Sequence, residues 1–303
     1  MMPIPTSAIK PARADTPLTR FIRDFFSGKL ATAGFIALLL IVLAAIFAPL
    51  IAPQNPYDLQ HLDIMDSRLA PGKAAEDGSM VYLLGTDDQG RDMLSAILYG
   101  VRISVTVGVT STVIALMIGL TLGLIAGYAG GRIEGLIMRI ADIQLAFPPI
   151  LVALILLALT GRGVDKIIIA LVTVQWAYYA RTARSTALVE RKKEYVEAAR
   201  ALGLSPLRIV FRHLLPNCMP PLIVVAALQV ASAISLEATL SFLGLGLPIT
   251  EPSLGLLISN GFQYLLSGRY WISFYPGIAL LLTVVAINLV ADQLRDVLNP
   301  RLQ

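Results

Sequence analysis

Long stretches without charge alternate along this chain with short basic segments. Five stretches are long enough to cross the hydrocarbon core of a membrane, which takes about 20 apolar residues in a helix: residues 30–52, 103–131, 143–161, 213–236 and 270–291. A sixth span is predicted over residues 163–181, because Lys166 and Arg181 can extend to the two membrane surfaces. The pattern therefore predicts an all-α, polytopic membrane protein with six transmembrane helices.

Two segments interrupt this pattern. Residues 252–268 contain Ser259 and Gln263, so they are predicted to form a re-entrant or surface segment rather than a seventh span. In the third span, Pro148 and Pro149 remove backbone donors and predict a kink in the helix. We interpret this kink as static in preference to a gating hinge.

The composition supports a membrane protein. The chain is 56% hydrophobic and 15% charged over 303 residues, whereas soluble domains carry about 25% charged residues. A soluble fold of this size would leave too much apolar surface in water. The chain has one cysteine and two histidines, which excludes an intrachain disulfide and argues against a His/Cys zinc site.

The basic residues predict the orientation in the membrane. With the N-terminus inside, 17 of the 24 Lys and Arg residues lie on the cytoplasmic side, in accord with the positive-inside rule. Their grouping in short segments between spans indicates orientation rather than a nucleic-acid-binding face. Both termini are therefore expected to be cytoplasmic, and the first span is expected to be a signal anchor instead of a cleaved signal peptide.

The spans divide the chain into five regions. These are a cytoplasmic N-terminus (1–29), a first transmembrane helix (30–52), an extracytoplasmic loop (53–102), a main membrane domain (103–292) and a cytoplasmic C-terminus (293–303). In the first region, apolar residues at helical spacing between Leu18 and Phe26 predict a short amphipathic helix on the inner membrane surface.

The segment 190–216 is the most informative hydrophilic part of the main membrane domain. Helix-forming residues dominate up to Leu202, and Gly203 is a suitable C-terminal stop. Ser205 can cap a second helix that Pro216 is expected to end. The segment therefore predicts helix, sharp turn, helix on the cytoplasmic face. From the residues alone, an ordinary basic loop that only sets topology is the alternative.

One motif within this segment matches a known pattern in residue types and in spacing. Glu197, Ala198 and Ala199 are followed after three residues by Gly203, and then by Leu215 and Pro216. This arrangement resembles the EAA motif of ABC-importer permeases. His213 stands where that family usually carries isoleucine.

Further blocks narrow the resemblance to one subfamily. Residues 85–92, GTDDQGRD, are similar to a signature of dipeptide, oligopeptide and nickel permeases, and similar blocks follow at 99–104, 127–131, 138–142, 240–246 and 294–296. The chain resembles the C-type permease of this family. It departs from the family at Leu254, where tryptophan is usual, and at Asn299, where aspartate is common. The first departure is interpreted as a changed substrate or binding-protein contact.

The resemblance implies a type I ABC-importer transmembrane domain in the bacterial inner membrane. The EAA segment is then a coupling helix seated in a groove of an ATPase subunit. The implied partners are a second homologous permease, two ATP-binding subunits, an extracytoplasmic solute-binding protein and membrane lipid. No cofactor is expected on this chain, since ATP and Mg²⁺ belong to the ATPases and the chain has no phosphate-binding loop of the G-x-x-x-x-G-K-[ST] type.

Several acidic residues outside this motif are candidates for function or for structure. Glu237 interrupts an apolar run near the outer end of the fifth span. It is a candidate pathway residue that would meet a peptide's amino group, or else an interface residue facing the companion permease. Asp142 is predicted to pair with Arg139. The aspartates of 85–92 are predicted to cap backbone amides in a turn rather than to bind calcium.

The functional prediction is the permease subunit of an ATP-driven importer for di- or oligopeptides. Nickel or another small solute is the alternative within the same class. A proton-coupled secondary carrier would need a relay of intramembrane carboxylates, for which Glu237 is the only candidate. A membrane-embedded enzyme would need an acid/base pair, a metal cluster or an activated nucleophile, and the sequence offers none of these arrangements.

Overall fold

The computed structural model describes residues 16–58, 62–248 and 250–298. The outermost parts of the predicted cytoplasmic termini, 1–15 and 299–303, lie outside the described residues. The described chain is mostly helical, as predicted. Its helices are α1 Pro17–Phe25, α2 Lys29–Ile46, α3 Ala48–Ile51, α4 Met93–Ala129, α5 Gly131–Ala146, α6 Pro149–Thr160, α7 Val164–Glu190, α8 Glu194–Ala201, α9 Pro206–Ile209, α10 Leu215–Phe242, α11 Leu254–Phe262 and α12 Trp271–Leu298. One antiparallel hairpin, β1 Lys73–Ala74 and β2 Val81–Tyr82, lies between α3 and α4.

The predicted count of six spans is consistent with this architecture. Among the described residues, four helical segments are both long and apolar enough to cross a membrane: Lys29–Ile46, Met93–Ala129, Pro206–Phe242 and Trp271–Leu298. The pair α5 and α6 together would make a fifth, although it is bent by 90°. The span predicted over residues 163–181 corresponds to α7, whose 27 residues are long enough to cross but include the charged Arg181 and Arg184.

The third predicted span is broken where its two prolines occur. Phe147 is extended, and α6 begins at Pro149. Proline is tolerated in the first turn of a helix, because an N–H there would have no acceptor within the helix. Inside α5 the same residue would interrupt the backbone hydrogen bonds of the helix. The prediction of a kink is therefore confirmed. The 12 residues of α6 rise only about 18 Å and would not cross the hydrocarbon core alone.

Helix α4 begins at Met93, ten residues before the predicted start of the second span at 103. Its 37 residues are more than a membrane crossing needs, so the bounds predicted for the loop (53–102) and for the main membrane domain (103–292) stay predictions. The Asp92 carboxylate caps the helix by accepting hydrogen bonds from Ser95 N at 2.8 Å and Ser95 Oγ at 2.6 Å. Arg102, which set the predicted start of the span, lies within this helix.

The predicted end of the second helix at Pro216 is wrong. Helix α9 continues through a π-helical turn, Val210–Leu214, directly into α10. In that turn, Leu215 N donates to the carbonyl of Val210, five residues back. Because Pro216 has no N–H to donate, this wider turn allows it to follow without interrupting the helix.

The tightest helix pair in the bundle is α4 against α7. Three glycines spaced four residues apart on α4, Gly119, Gly123 and Gly127, face α7, and a Cβ on any of them would clash with Trp176, Ala180 or Ala187. Small residues at this spacing let two membrane helices approach closely. The pair therefore forms a rigid unit that connects the two ends of the bundle. We call these the loop end, near residues 62–92, and the α8 end.

A buried ion pair organises the loop end. The guanidinium of Arg91 donates to Asp87 at 2.6 Å, and both side chains are inaccessible to solvent. The other oxygen of Asp87 accepts from the backbone amides of Gln89 and Arg91. The prediction that aspartates of this motif cap turn amides is therefore confirmed for Asp87 and Asp92. Burial and the neighbouring charge of Asp87 raise the pKa of Asp88.

The same turn is attached to the helices. The indole of Trp271, the first residue of α12, donates to the carbonyl of Thr86 at 3.1 Å. Tyr82 donates its hydroxyl to Asp66 at 2.8 Å, and burial together with this bond raises the pKa of Tyr82. The 85–92 motif thus joins the loop to the starts of α4 and α12.

Candidate functional site

The two alanines of the EAA motif have different environments. Ala199 is buried and packs with Val196, Ile209 and Leu214. Ala198 and Glu197 are exposed. The small side chain of Ala199 lets α8 pack closely on its own chain. The surface available to a partner is formed by Glu197, Ala198 and the turn that follows.

The turn after α8 has the backbone geometry predicted for it. Gly203 has a φ of +71°, a left-handed conformation that a residue with a Cβ adopts at a cost. Gly203 N donates to the carbonyl of Arg200, and Leu204 N donates to the carbonyl of Ala199. These two bonds are those of a Schellman motif. They end α8 and turn the chain sharply toward Ser205 and α9.

One arginine of α8 and one from the turn that precedes it contact the end of α4. Arg191, which follows the last residue of α7, donates to the carbonyl of Gly127 at 2.8 Å. This carbonyl lies in the last turn of α4, where hydrogen-bond partners within the helix are lacking. The guanidinium of Arg200 lies over the ring of Tyr128, 5.5 Å from its centroid, in the geometry of a cation–π interaction.

A second set of bonds ties α8 to α7. Glu190, the last residue of α7, accepts hydrogen bonds from Lys193 Nζ and from the Tyr195 hydroxyl, both at 2.7 Å. Burial acts to raise the pKa of Glu190, but these two bonds outweigh it and the pKa lies below its usual value. Burial and the bond to Glu190 raise the pKa of Tyr195. Since α8 is tied to both α4 and α7, a force applied to α8 reaches the rigid helix pair directly.

The remaining predicted site residues occupy α10. Leu215 and Pro216 form its first turn, next to the α8 end. Glu237 lies 22 residues beyond Leu215, about 33 Å along the helix, and therefore belongs to the loop end. It is fully buried within its own chain. Its predicted role as a pathway residue stays a prediction, and in this conformation its side chain does not reach the surface.

Asp142 does not have the partner that its sequence neighbourhood indicated. We expected Arg139, one helical turn away. Instead Arg181 of α7 donates to Asp142 at 2.6 Å. A second pair, Arg184 with Glu134, joins the same two helices. The 90° bend before α6 lays α5 against the end of α7, which brings these distant residues together.

The reasoning from sequence missed Tyr128, Arg191 and Tyr195 as supports of α8. Tyr128 belongs to the 127–131 block that was noted for its family resemblance, so a signal for it was present. Arg191 and Tyr195 carried no such signal. Their hydrogen-bond partners, the carbonyl of Gly127 and the carboxylate of Glu190, become neighbours only when the chain folds.

Comparison with known families identifies the class of protein. Residues 119–303 match the family described as binding-protein-dependent transport system inner membrane component. Residues 16–71 match the N-terminal transmembrane domain of oligopeptide transport permease C. The chain belongs to the family of binding-protein-dependent transport system inner membrane components. It is a multi-pass permease subunit of the ABC-importer class and not an enzyme.

Among the members of this class, the chain is similar to permeases of peptide transport systems. The chain is 44% identical over 288 residues to the dipeptide transport system permease DppC of Escherichia coli K12, with 95% of this chain and 94% of the relative covered. It is 41% identical to the di/tripeptide transport system permease DppC of Pseudomonas aeruginosa, with 95% and 93% covered. The resemblance to peptide-transport permeases that the motifs indicated is therefore confirmed.

A solved structure shows a similar fold. The chain resembles a subunit of the MetNI methionine ABC transporter in an inward-facing conformation, with a TM-score of 0.57 and 21% identity over 68% of this chain and 98% of the other. At this identity the likeness establishes the fold alone. It confirms the prediction of an ABC-importer transmembrane domain.

Proposed function

We propose that this chain is the C-type permease subunit of an ATP-driven importer of di- or oligopeptides. Its similarity along almost the whole chain to dipeptide and di/tripeptide permeases supports this substrate class. The observation that carries the mechanism is the exposed surface of Glu197, Ala198 and Gly203 on a helix tied firmly to α4 and α7. Such a helix can receive a push from a partner and pass it to the membrane spans.

The mechanism that fits this arrangement is alternating access. Two partner ATPase subunits bind ATP and Mg²⁺, and their closure moves α8 together with its counterpart on a second, homologous permease. Because α4 and α7 are packed along a glycine stripe, they tilt as one body and alternately open the shared path to either side. An extracytoplasmic solute-binding protein delivers the peptide at the loop end.

In this proposal the chain lies in the bacterial inner membrane with both termini in the cytoplasm. The excess of basic residues on the α8 side supports this orientation. Helix α1 has exposed Leu18 and Ile22 and also carries Arg20 and Arg23, which suits a helix lying on an anionic lipid surface. Gln293 of α12 donates to the carbonyl of Asp24 and so fixes α1 next to the bundle.

The test is uptake by the complete complex in proteoliposomes. Radiolabelled dipeptide and the binding protein are supplied outside, and ATP is trapped inside. We expect accumulation that requires ATP and the binding protein and that persists when an ionophore collapses the proton gradient. Uptake that follows the proton gradient without ATP would instead support a secondary carrier.

The substrate class is decided in the same vesicles. An excess of unlabelled dipeptide should suppress uptake, whereas Ni²⁺ at the same concentration should have little effect. The reverse order of competition would contradict the peptide assignment and favour the nickel alternative within the family.

A further inference from the structure

Glu237 is the hub of a buried hydrogen-bond cluster at the loop end. Its two carboxylate oxygens accept from Ser104 Oγ of α4 at 2.9 Å and from Ser241 Oγ of α10 at 2.7 Å. These three side chains are nearly or fully inaccessible to solvent. The first residues of α11 lie beside them, because Gly255 is in close contact with the backbone of Ala238, the residue after Glu237. One carboxylate therefore connects α4 to α10 at the place where α11 begins.

Helix α11 dips into the bundle at this point. Its first residues lie deepest, because Leu254 packs against Gly100 of α4, and Gly255 sits so close to the carbonyl of Ala238 that a Cβ would clash. Its later residues lie at the rim, where Ser259 donates to the carbonyl of Phe242, the last residue of α10. The predicted re-entrant or surface segment is therefore a short helix that rises toward the extracytoplasmic side.

Leu254 is part of this packing. It is fully buried, so in this conformation its side chain does not reach a surface. A tryptophan at this place would need the space that the close approach of α11 to Gly100 fills. The interpretation of this family departure as a changed substrate or binding-protein contact stays a prediction.

The position of Glu237 at the start of α11 explains how its carboxylate is tolerated. Ser253 is the N-cap of α11 and accepts from Leu256 N at 3.2 Å. The N-terminal end of a helix carries partial positive charge, which stabilises a nearby carboxylate. Within the described residues the carboxylate has the hydroxyls of Ser104 and Ser241 as partners and no salt bridge. The helix end and the hydroxyls together take the place of a cation.

We propose that Glu237 is a positioning residue that holds the N-terminus of α11 in the extracytoplasmic mouth of the permease. With this anchor in place, α11 stays seated between α4 and α10 and keeps the mouth in the shape that admits peptide from the binding protein. Glu237 acts on transport through α11 and does not contact the peptide. The transport part of this inference rests on the proposed function, whereas the seating of α11 does not.

The experiment compares Glu237→Leu with Glu237→Gln. Leucine removes every hydrogen bond of the cluster, whereas the glutamine amide can still accept from one serine and donate to another. The first readout is the labelling rate of a cysteine at the buried position 256 (Leu256→Cys) by an impermeant maleimide, in a chain whose Cys218 is replaced by alanine. The second readout is dipeptide uptake per ATP hydrolysed by the assembled complex.

We expect Glu237→Leu to raise the labelling rate and to lower uptake per ATP by about tenfold each, since hydrogen bonds to a charged group are among the stronger ones in a protein. Glu237→Gln should change both by less than about threefold, because most of the bonds remain. Ser253→Ala should fall between the two. As a matched control, Thr239→Val removes an exposed hydroxyl of α10 that bonds only within its own helix, and it should behave as the unmodified chain does.

Two outcomes would overturn the proposal. In the first, Glu237→Leu leaves the labelling rate at position 256 unchanged. In the second, Glu237→Gln abolishes uptake of a peptide with a free amino group, spares its N-acetylated form and leaves labelling unchanged, which would make Glu237 a substrate contact. If the unmodified complex transports no peptide, the proposed function fails, and the labelling comparison still decides the seating of α11.

Discussion

Gly203→Val is expected to lower ATP-driven uptake at least about tenfold while the subunit still accumulates in the membrane. Gly203 has a φ of +71°, and a residue with a Cβ in this left-handed conformation costs about 1–2 kcal/mol. Apart from Gly203 and its two chain neighbours, no atom of the described residues lies within 4 Å of the position that its Cβ would take. The added side chain would therefore point to where a partner must approach, and it would not disturb the packing of the bundle.

The measurement is dipeptide uptake together with ATPase subunits that co-purify with a tag on this chain. The matched control is Gly203→Asn, because asparagine tolerates the left-handed conformation better than other residues with a Cβ. Gly203→Asn should retain most of the dipeptide uptake and ATPase co-purification that Gly203→Val loses. Normal uptake and normal co-purification in Gly203→Val would mean that residues 197–203 form only a topology-setting loop.

Asp87→Ala is expected to cause the largest loss of stability. It leaves the buried guanidinium of Arg91 without the carboxylate that lies 2.6 Å away, and removing one partner of a buried ion pair costs about 3–5 kcal/mol. It also leaves the amides of Gln89 and Arg91 without their acceptor. The thermal unfolding midpoint of the solubilised complex should fall by roughly 5 °C or more.

Two further variants make this test specific. Asp77→Ala changes an exposed aspartate of the same loop that accepts from the amide of Ser79, and it should lower the midpoint far less. The double variant Asp87→Ala/Arg91→Met removes both charges, so it should be more stable than Asp87→Ala alone. An unchanged midpoint in Asp87→Ala would contradict the structural role of the pair.

Features set by local backbone chemistry could be predicted from the sequence. Gly203 marked the end of α8 because glycine adopts the left-handed backbone conformation at little cost. Pro148 and Pro149 marked the break of the third span because proline lacks the backbone N–H that a helix interior requires. Long apolar runs located the spans for the same reason, since a helix is the structure that satisfies its own backbone in lipid. These signals need no knowledge of distant residues.

Features set by packing could not be predicted in this way. The partner of Asp142 is Arg181, 39 residues away, and Trp271 binds a carbonyl 185 residues away. Ala199 and Ala198 are adjacent and identical in type, yet one packs against Ile209 and the other is exposed. Pro216 was expected to end a helix, but the π-helical turn before it allowed the helix to continue. Each of these outcomes depends on the arrangement of whole helices.

The most direct test of the account is site-specific photocrosslinking from α8 in the assembled complex. A photoreactive amino acid is placed at the exposed position 198 and, as the matched control, at the buried position 199. The account predicts an adduct between this chain and an ATPase subunit from position 198 and little or none from position 199. The same adduct would place residues 190–216 on the cytoplasmic side, where ATP is bound. Absence of an ATPase adduct from position 198, in a complex that still imports peptide with ATP, would contradict the assignment of α8 as the coupling helix.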